Sequence, residues 1–503
     1  MIFNLLKKQD FTKLQMLQFI GTNGRTNMQE LMGRFDLSRA SINRHIKDIN
    51  MLLISNPSTI SYKINQDQLF NYYIESTNEM DITYLFFTFQ NYLIKKSLQF
   101  QTILYIYNSS SVTISNLSSY LFVTKNSCYR IIAQLNQSLS PFKITVSTKN
   151  DRVSFEGSEK SLRFMYWYIF VITCQSLEWP FQHTSLDFIH SSYSGYREKF
   201  LPSKSLSTTI RVDFFLAIQY ARISKGQYVQ DFGPISTSII QTFMDVNDIT
   251  EHIMHFPIGT KIIKHAHNEL AERQLFNLFI RVIDPKIGEL SKKKEIGRRL
   301  MTLDTPVTKF HVKLNTAFIN RYFKKNKEDM LPIFMYHTVL YHTFSFHHSY
   351  SQDDVINSDL LNNDELIYNK SEFSKSIVNF IETFMNTTPC DTFSLSVPAV
   401  KLIGVLHYSL FTSYYKDSIY IYIQYSKTPI GSTFIKGRLC QIFNEDSLLF
   451  TSNIEEADII ISDTIEYQQN NATKFFIDDI YSTKNWKDLY LVITEHLIQL
   501  YHI

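Results

Sequence analysis

Arg39, Asn43, Arg44 and Lys47 fall within one short stretch of this 503-residue chain, and Lys125, Asn126, Tyr129 and Arg130 within another. These residue types read nucleic acid: Arg pairs in bidentate fashion with guanine, Asn does the same with adenine, and Lys neutralises phosphate. A shift of 86 residues lays Leu31, Ser38, Ser41, Arg44, Ile46, Ile49, Asn50 and Leu53 on Leu117, Thr124, Ser127, Arg130, Ile132, Leu135, Asn136 and Leu139. The same helix-turn-helix pattern is written twice.

The elements that must hold these side chains follow from periodicity. In the first copy Leu14, Leu17 and Ile20 mark a supporting helix, Asn23-Gly24 a turn, and Met28, Leu31, Met32 and Phe35 the inner face of the next helix. A turn centred on Leu37 leads to Ser38, which caps a helix running to about Leu53. Ile42, Ile46, Ile49 and Leu53 recur at helical spacing and face inward, which turns the basic and amide residues outward. The second copy repeats this with Ile103, Tyr105 and Ile106, then Ile114, Leu117 and Leu121, a turn at Val123, and Thr124 capping a helix from Lys125 to about Leu139. Each is followed by a candidate wing. Residues 60–64 form a strand before a polar turn in the first copy; in the second, residues 142–146 and 153–155 flank a turn at Lys149-Asn150-Asp151. Lys149 and Arg152 at that tip are expected to touch phosphate. The better-defined second wing makes the second unit the expected main reader.

Charge is distributed accordingly. Residues 1–160 carry a net +6 and the remainder −3, a basic front on a slightly acidic body. A chain this long forms several domains. From about Gly157 to Tyr408 it reads as helical, with amphipathic segments at 162–174, 207–224, 261–283, 312–325 and 373–385, and Pro-containing breaks at 179–180, 233–234, 256–257, 284–285, 305–306 and 388–389. The break at Asp284-Pro285 divides this region into two helical modules of similar length. The last ninety residues alternate strand and helix: strands at 419–423, 448–451, 457–462 and 475–477, helices at 433–443 and 486–501. Near-continuous apolar strands of this kind build a mostly parallel sheet.

Other chemistries find little footing. Cys128, Cys174, Cys390 and Cys440 are scattered without a CxxC pair, as in a reduced cytoplasmic protein, and the fifteen histidines form no HExxH set. There is no Walker loop, no dinucleotide glycine fingerprint and no GxSxG elbow. Residues 1–11 include Lys7, Lys8 and Asp10 rather than a signal-peptide core, and the apolar stretch 164–174 is too short to span a bilayer. The expectation is a non-enzymatic cytoplasmic protein with no metal, no cofactor and no membrane partner.

The order of parts resembles the Mga/AtxA virulence regulators of Gram-positive bacteria, most specifically in Leu117–Asn136, Leu31–Asn50 and the strand segment 456–463. The resemblance implies a multidomain, mainly α architecture. Two N-terminal winged helix-turn-helix units (1–66 and 67–157) precede two helical modules like phosphotransferase regulatory domains, PRDs (158–285 and 286–410), and a C-terminal α/β domain similar to EIIB (415–503). It implies a transcriptional activator that binds double-stranded promoter DNA and forms a homodimer or higher oligomer. It also implies tuning by histidine phosphorylation from the phosphotransferase phosphocarrier protein. His190 with His252 or His255, and His342 with His407, are the candidates. A working EIIB loop carries a cysteine after its first strand; the loop here, residues 425–432, has none, so no phosphocysteine is expected. An RNA-binding antiterminator with similar modules is one alternative, set against by the helical head, and a phosphotransferase phosphocarrier component is the other.

Overall fold

A computed structural model describes residues 5–77, 81–109, 111–201, 204–252, 266–323, 327–348, 372–388, 397–414, 418–444, 447–464 and 472–501. The described residues are mainly helical and divide into two compact units. One is built from residues 1–318, 331–366 and 385–403, the other from 319–330, 367–384 and 404–503.

The first unit opens with α1 (Lys8–Asn23), α2 (Met28–Phe35) and α3 (Arg39–Ser55), followed by an antiparallel hairpin of β1 (Tyr62–Gln66) and β2 (Tyr72–Ser76). Then come α4 (Ile82–Lys96), α5 (Leu98–Asn108), α6 (Ile114–Leu121), α7 (Lys125–Leu139) and a second hairpin of β3 (Thr145–Ser147) and β4 (Ser154–Glu156). The sequence repeat is therefore a structural one, and its caps repeat with it. Ser38 and Thr124 accept the amides of Ser41 and Ser127 at 3.4 and 3.2 Å. Asn27 and Thr113 do the same for Glu30 and Asn116 at 2.9 and 3.1 Å. The tight turns pivot on left-handed Asp36 and Phe122 (φ 50° and 54°), one residue before the expected centres Leu37 and Val123. Leu14, Leu17, Ile20, Leu31, Ile42, Ile46, Ile49 and Leu53 are buried as their spacing required, but Met32 is exposed.

One amide in each copy joins helix to wing. Asn50 donates to the Ile64 carbonyl at 2.9 Å and accepts the Ile64 amide at 2.8 Å. Asn136 holds Val146 in the same way, at 3.2 and 2.6 Å. Each side chain stands where a neighbouring strand would be, so β1 and β3 are satisfied on the side away from their hairpin partners. On the other side of each hairpin a short extended segment completes the wing: Thr26 and Tyr72 exchange backbone bonds at 3.0 and 2.8 Å, and the Val153 amide donates to the Val112 carbonyl at 2.8 Å.

Several sequence boundaries need correction. The first wing is a complete hairpin of five residue pairs that runs across residue 66, whereas the second has three pairs, so the second wing is not the better defined. The core also passes without a break from the second wing into α8 (Glu159–Cys174): Phe142 packs on Phe164, and Tyr107 on Tyr166 and Phe170. Beyond it lie α9 (Leu186–Ser192), α10 (Ser194–Phe200), α11 (Leu206–Ser224), α12 (Pro234–Val246), α13 (Ala266–Ile283), α14 (Leu290–Thr302), α15 (Pro306–Tyr322) and α16 (Lys327–His348). Packing does not pause at residue 285 either, because Ile296, Leu300, Val307 and Tyr336 share one apolar core with Phe243 and Phe279. The breaks expected at 233–234 and 305–306 do fall between helices, and Pro234 and Pro306 each begin the next one, as suits a residue without an amide hydrogen. At Gly297 a methyl group would fall 1.8 Å from the Pro332 carbonyl oxygen, so α14 meets α16 at a spot that only glycine permits. The expected break at 256–257 lies outside the described residues.

Charge is buried in the middle of this body. Arg163 on α8 is fully buried and forms two parallel bonds to Glu272 on α13, at 2.6 and 2.8 Å, and a third to Glu159 at 3.0 Å. Arg222 on α11 grips the same Glu159 at 2.8 and 2.7 Å. Burial disfavours both guanidinium charges, but the carboxylates outweigh it and hold both pKa values above the usual arginine range.

The second unit contains parts of α17 (Glu372–Thr387) and α18 (Val397–Tyr414), then β5 (Ile419–Gln424), α19 (Gly431–Ile442), β6 (Leu448–Phe450), β7 (Ile459–Ser462), β8 (Thr473–Phe476) and α20 (Thr483–Tyr501). Its four strands are all parallel in the order β6-β5-β7-β8. Leu439, Trp486, Leu489 and Ile493 from α19 and α20 pack with Ile421, Ile459 and Ile461 of the sheet.

Removing the helix-to-wing amide tests its weight. Asn50→Ala and Asn136→Ala each strand a backbone amide and a carbonyl, so each is expected to lower stability by roughly 1–3 kcal/mol. Hydrogen exchange should accelerate at the amide of Ile64 in one variant and Val146 in the other. Unchanged protection at both would show that the wings hold without the clamp.

Candidate nucleic-acid interface

Helix α3 presents Arg39, Asn43, Arg44 and Lys47 to solvent, and α7 presents Lys125, Asn126, Tyr129 and Arg130. All eight expected positions are exposed, because Ile42, Ile46 and Ile49 anchor one helix and Cys128, Ile132 and Leu135 the other. The faces are not copies. Under the 86-residue shift Arg44 matches Arg130, but Asn43 matches Tyr129 and Lys47 matches Ala133. Asn43 is also partly engaged, its Oδ1 accepting the Tyr72 hydroxyl at 3.0 Å, which leaves its amide hydrogens for a base edge. Tyr129 is 48% exposed and offers a ring and a hydroxyl instead.

The residues at the second wing divide. Lys149 is exposed at the turn but lies 3.0 Å from Glu156, which reduces its reach for phosphate. Arg152 lies beyond the turn and lines a cavity against the helical body. A separate cleft of about 530 Å³ lies between the two winged units, with Lys7, Lys13, Lys96 and Arg130 in its lining. Lys13 is 3.0 Å from Asp10 in that cleft. Two features escaped the sequence reading here. Phe122 is 94% exposed at the turn leading into α7, and His45 is buried on α3. Burial, then the charges of Lys13 and Arg44, pushes the pKa of His45 down, so it acts as a neutral core residue.

Of the candidate regulatory histidines the structure describes three side chains. His190 on α9 is 37% exposed, with Nε2 3.2 Å from Asp213, a carboxylate also bound by Arg197. His342 on α16 is fully buried, and its Nδ1 is 2.7 Å from Nε2 of His311, a residue the sequence reading passed over. His407 is likewise fully buried, in the other unit. Of His252 only the backbone is described, and His255 lies outside the described residues.

In the second unit the loop after β5 meets Asp463 at the end of β7. One carboxylate oxygen accepts the Ser426 amide at 2.8 Å, the Ser426 hydroxyl at 3.0 Å and the Lys427 amide at 3.0 Å. Burial opposes its charge, but these bonds prevail and hold its pKa below the usual carboxylate range. The crevice between β5 and β7 is where a parallel sheet usually binds an anion. Here an internal carboxylate takes the amides that an anion would use.

Cys128, Cys174 and Cys440 are free thiols, and Cys390 lies outside the described residues. Among the described residues no cluster of three or more His, Cys, Asp or Glu side chains is arranged to hold a metal, and no helix is long and apolar enough to cross a membrane.

The model of the Mga helix-turn-helix domain matches this chain twice, over residues 1–90 and 85–170. Each match spans one winged unit with the helix that follows it. A Streptococcus pneumoniae protein named "Putative trans-acting regulator" is 23% identical over 233 residues, 45% of this chain and 44% of that protein. The capsule synthesis positive regulator AcpB of Bacillus anthracis is 23% identical over 186 residues, 37% of each chain. The matches thus span less than half the length of these relatives. Residues 1–170 thus resemble the Mga helix-turn-helix domain twice over, and part of the chain is similar to two proteins named as regulators.

Proposed function

We propose that this chain is a DNA-binding transcriptional activator that reads promoter DNA with both winged units. The observation that carries the reading is the doubled α3 and α7 face, held at the same position in its unit by the same cap and the same asparagine clamp. Arg39, Asn43, Arg44 and Lys47 are the groove-facing residues of one unit, and Lys125, Asn126, Tyr129 and Arg130 those of the other. The more complete first wing removes the reason for ranking the second unit above the first. Two readers on one chain favour a long site, bound through backbone contacts and DNA deformability as much as through base edges.

The name of AcpB as a positive regulator supports activation rather than repression. Phosphorylation by the phosphotransferase phosphocarrier would fall on His190, the exposed candidate, where a phosphoryl group would meet Asp213 and repel it. His342 and His407 are buried beyond the reach of a carrier protein in this conformation. The α/β domain, its anion crevice taken by Asp463, serves as an association surface for a homodimer rather than as a phosphate carrier.

The reading is tested by salt-titrated binding to duplex DNA. The intact protein is expected to show a steep salt slope, and Arg44→Ala/Lys47→Ala or Lys125→Ala/Arg130→Ala each reduces it by about two phosphate contacts or fewer. Indifference to both pairs would make the helices scaffolding. Light scattering with and without residues 415–503 tests the association role: a halved mass on truncation supports it, and an unchanged mass counts against it.

A further inference from the structure

Where the second wing meets the helical body there is a cavity of about 550 Å³. The turn side of β4 forms one wall through Arg152 and Phe155, and α8 and α11 with the residues just after it form the other through Tyr166, Arg222 and Lys225. Among the described residues three cations and no acid line it. Arg222 spends Nε and one terminal nitrogen on Glu159, which leaves the other terminal nitrogen. Lys225 donates once, to the Tyr107 carbonyl at 2.9 Å, and keeps two hydrogens. Burial, and then the neighbouring Arg222, lowers the pKa of Lys225, which shows how poorly its charge is balanced. Ser109, Ser111 and Ser154 add hydroxyls, while Ile106, Val112 and Phe155 make one side apolar.

We infer that this cavity binds a small phosphate monoester with an apolar or aromatic body, and that its occupancy couples the helical body to the second wing. A monoester carries about −1.5 to −2 charge near neutral pH and three acceptor oxygens, which suits several cations with free hydrogens better than a single carboxylate does. The volume lies in the range of small-ligand sites and is far larger than a bare phosphate ion needs. A ligand bridging Lys225 and Arg222 to Arg152 ties the wing to the body. The coupling rests on the reading of that wing as part of a DNA-binding head; the binding itself does not.

The experiment is calorimetric titration of the full chain with phenyl phosphate and with inorganic phosphate at constant ionic strength. Phenyl phosphate is expected to bind with one site per chain and more tightly than inorganic phosphate. Lys225→Gln should weaken it about tenfold, as loss of one charge-assisted contact does, and Lys225→Arg should retain it. Ser111→Asp, an exposed change that adds a negative charge at the cavity, should abolish it, with unliganded melting temperatures confirming that the variants fold. No binding by the unaltered chain, or binding undiminished in both Lys225→Gln and Ser111→Asp, overturns the site. DNA affinity is then measured with and without phenyl phosphate. A shift in the unaltered chain that vanishes in Lys225→Gln supports coupling, and no shift overturns it. If Lys225→Gln weakens DNA binding with no phenyl phosphate present, the cavity holds DNA backbone and the small-ligand assignment falls. Failure of the chain to bind any duplex removes the DNA reading and the coupling while the titration still decides the site.

Discussion

Everything proposed for the head depends on one constraint: a recognition helix is useful only if its angle to the wing is fixed. In both copies a single asparagine supplies that constraint by exchanging two hydrogen bonds with one strand residue, Ile64 or Val146. A side-chain amide presents an N–H donor and a C=O acceptor side by side, so it can bond the carbonyl and the amide of one strand residue at once. An ionised Asp at that position would have no hydrogen to give the strand carbonyl. The outward residues on α3 and α7 can differ between the copies, as Asn43 and Tyr129 do, because the clamp does not involve them.

The head is not a detachable module on a string. Aromatic packing carries the core from Phe142 and Tyr107 into α8, and the buried Arg163 then ties α8 to Glu272 on α13, with Arg222 joining from α11 through Glu159. Ion pairs this deep often stabilise little over an apolar substitute, yet breaking one partner away is costly. Their effect is to hold three helices in one register. Two of these helices, α8 and α11, line the wing–body cavity directly behind the second wing.

Much of the head was legible because its signals are local. Caps at Ser38 and Thr124, the inward Ile and Leu spacing and the paired outward residues all depend on neighbours within a turn or two, and the repeat supplied a second copy as a check. The parallel sheet was readable from its unbroken apolar strands, such as Ile459–Ser462, all four residues of which are buried. What escaped depends on distant partners. The first wing's second strand contains Tyr72 and Ile74 among polar neighbours and reveals itself only through pairing with residues 62–66. The clamps at Asn50 and Asn136 looked like two more matched polar positions. The boundary drawn at residue 285 followed a proline, but helices on both sides bury side chains in one core. The histidine spacing gave no hint of His311, whose Nε2 lies 2.7 Å from Nδ1 of His342, thirty-one residues away. Asp463 gave no sign in sequence that it fills the loop where a cysteine was missing.

The central claim is that both winged units of one chain engage the same duplex. Hydroxyl-radical footprinting on a duplex selected from a random pool tests it most directly. The account predicts two protected blocks, one lost in Arg44→Ala/Lys47→Ala and the other in Lys125→Ala/Arg130→Ala. A single block lost with only one pair, or protection that survives both, would contradict it.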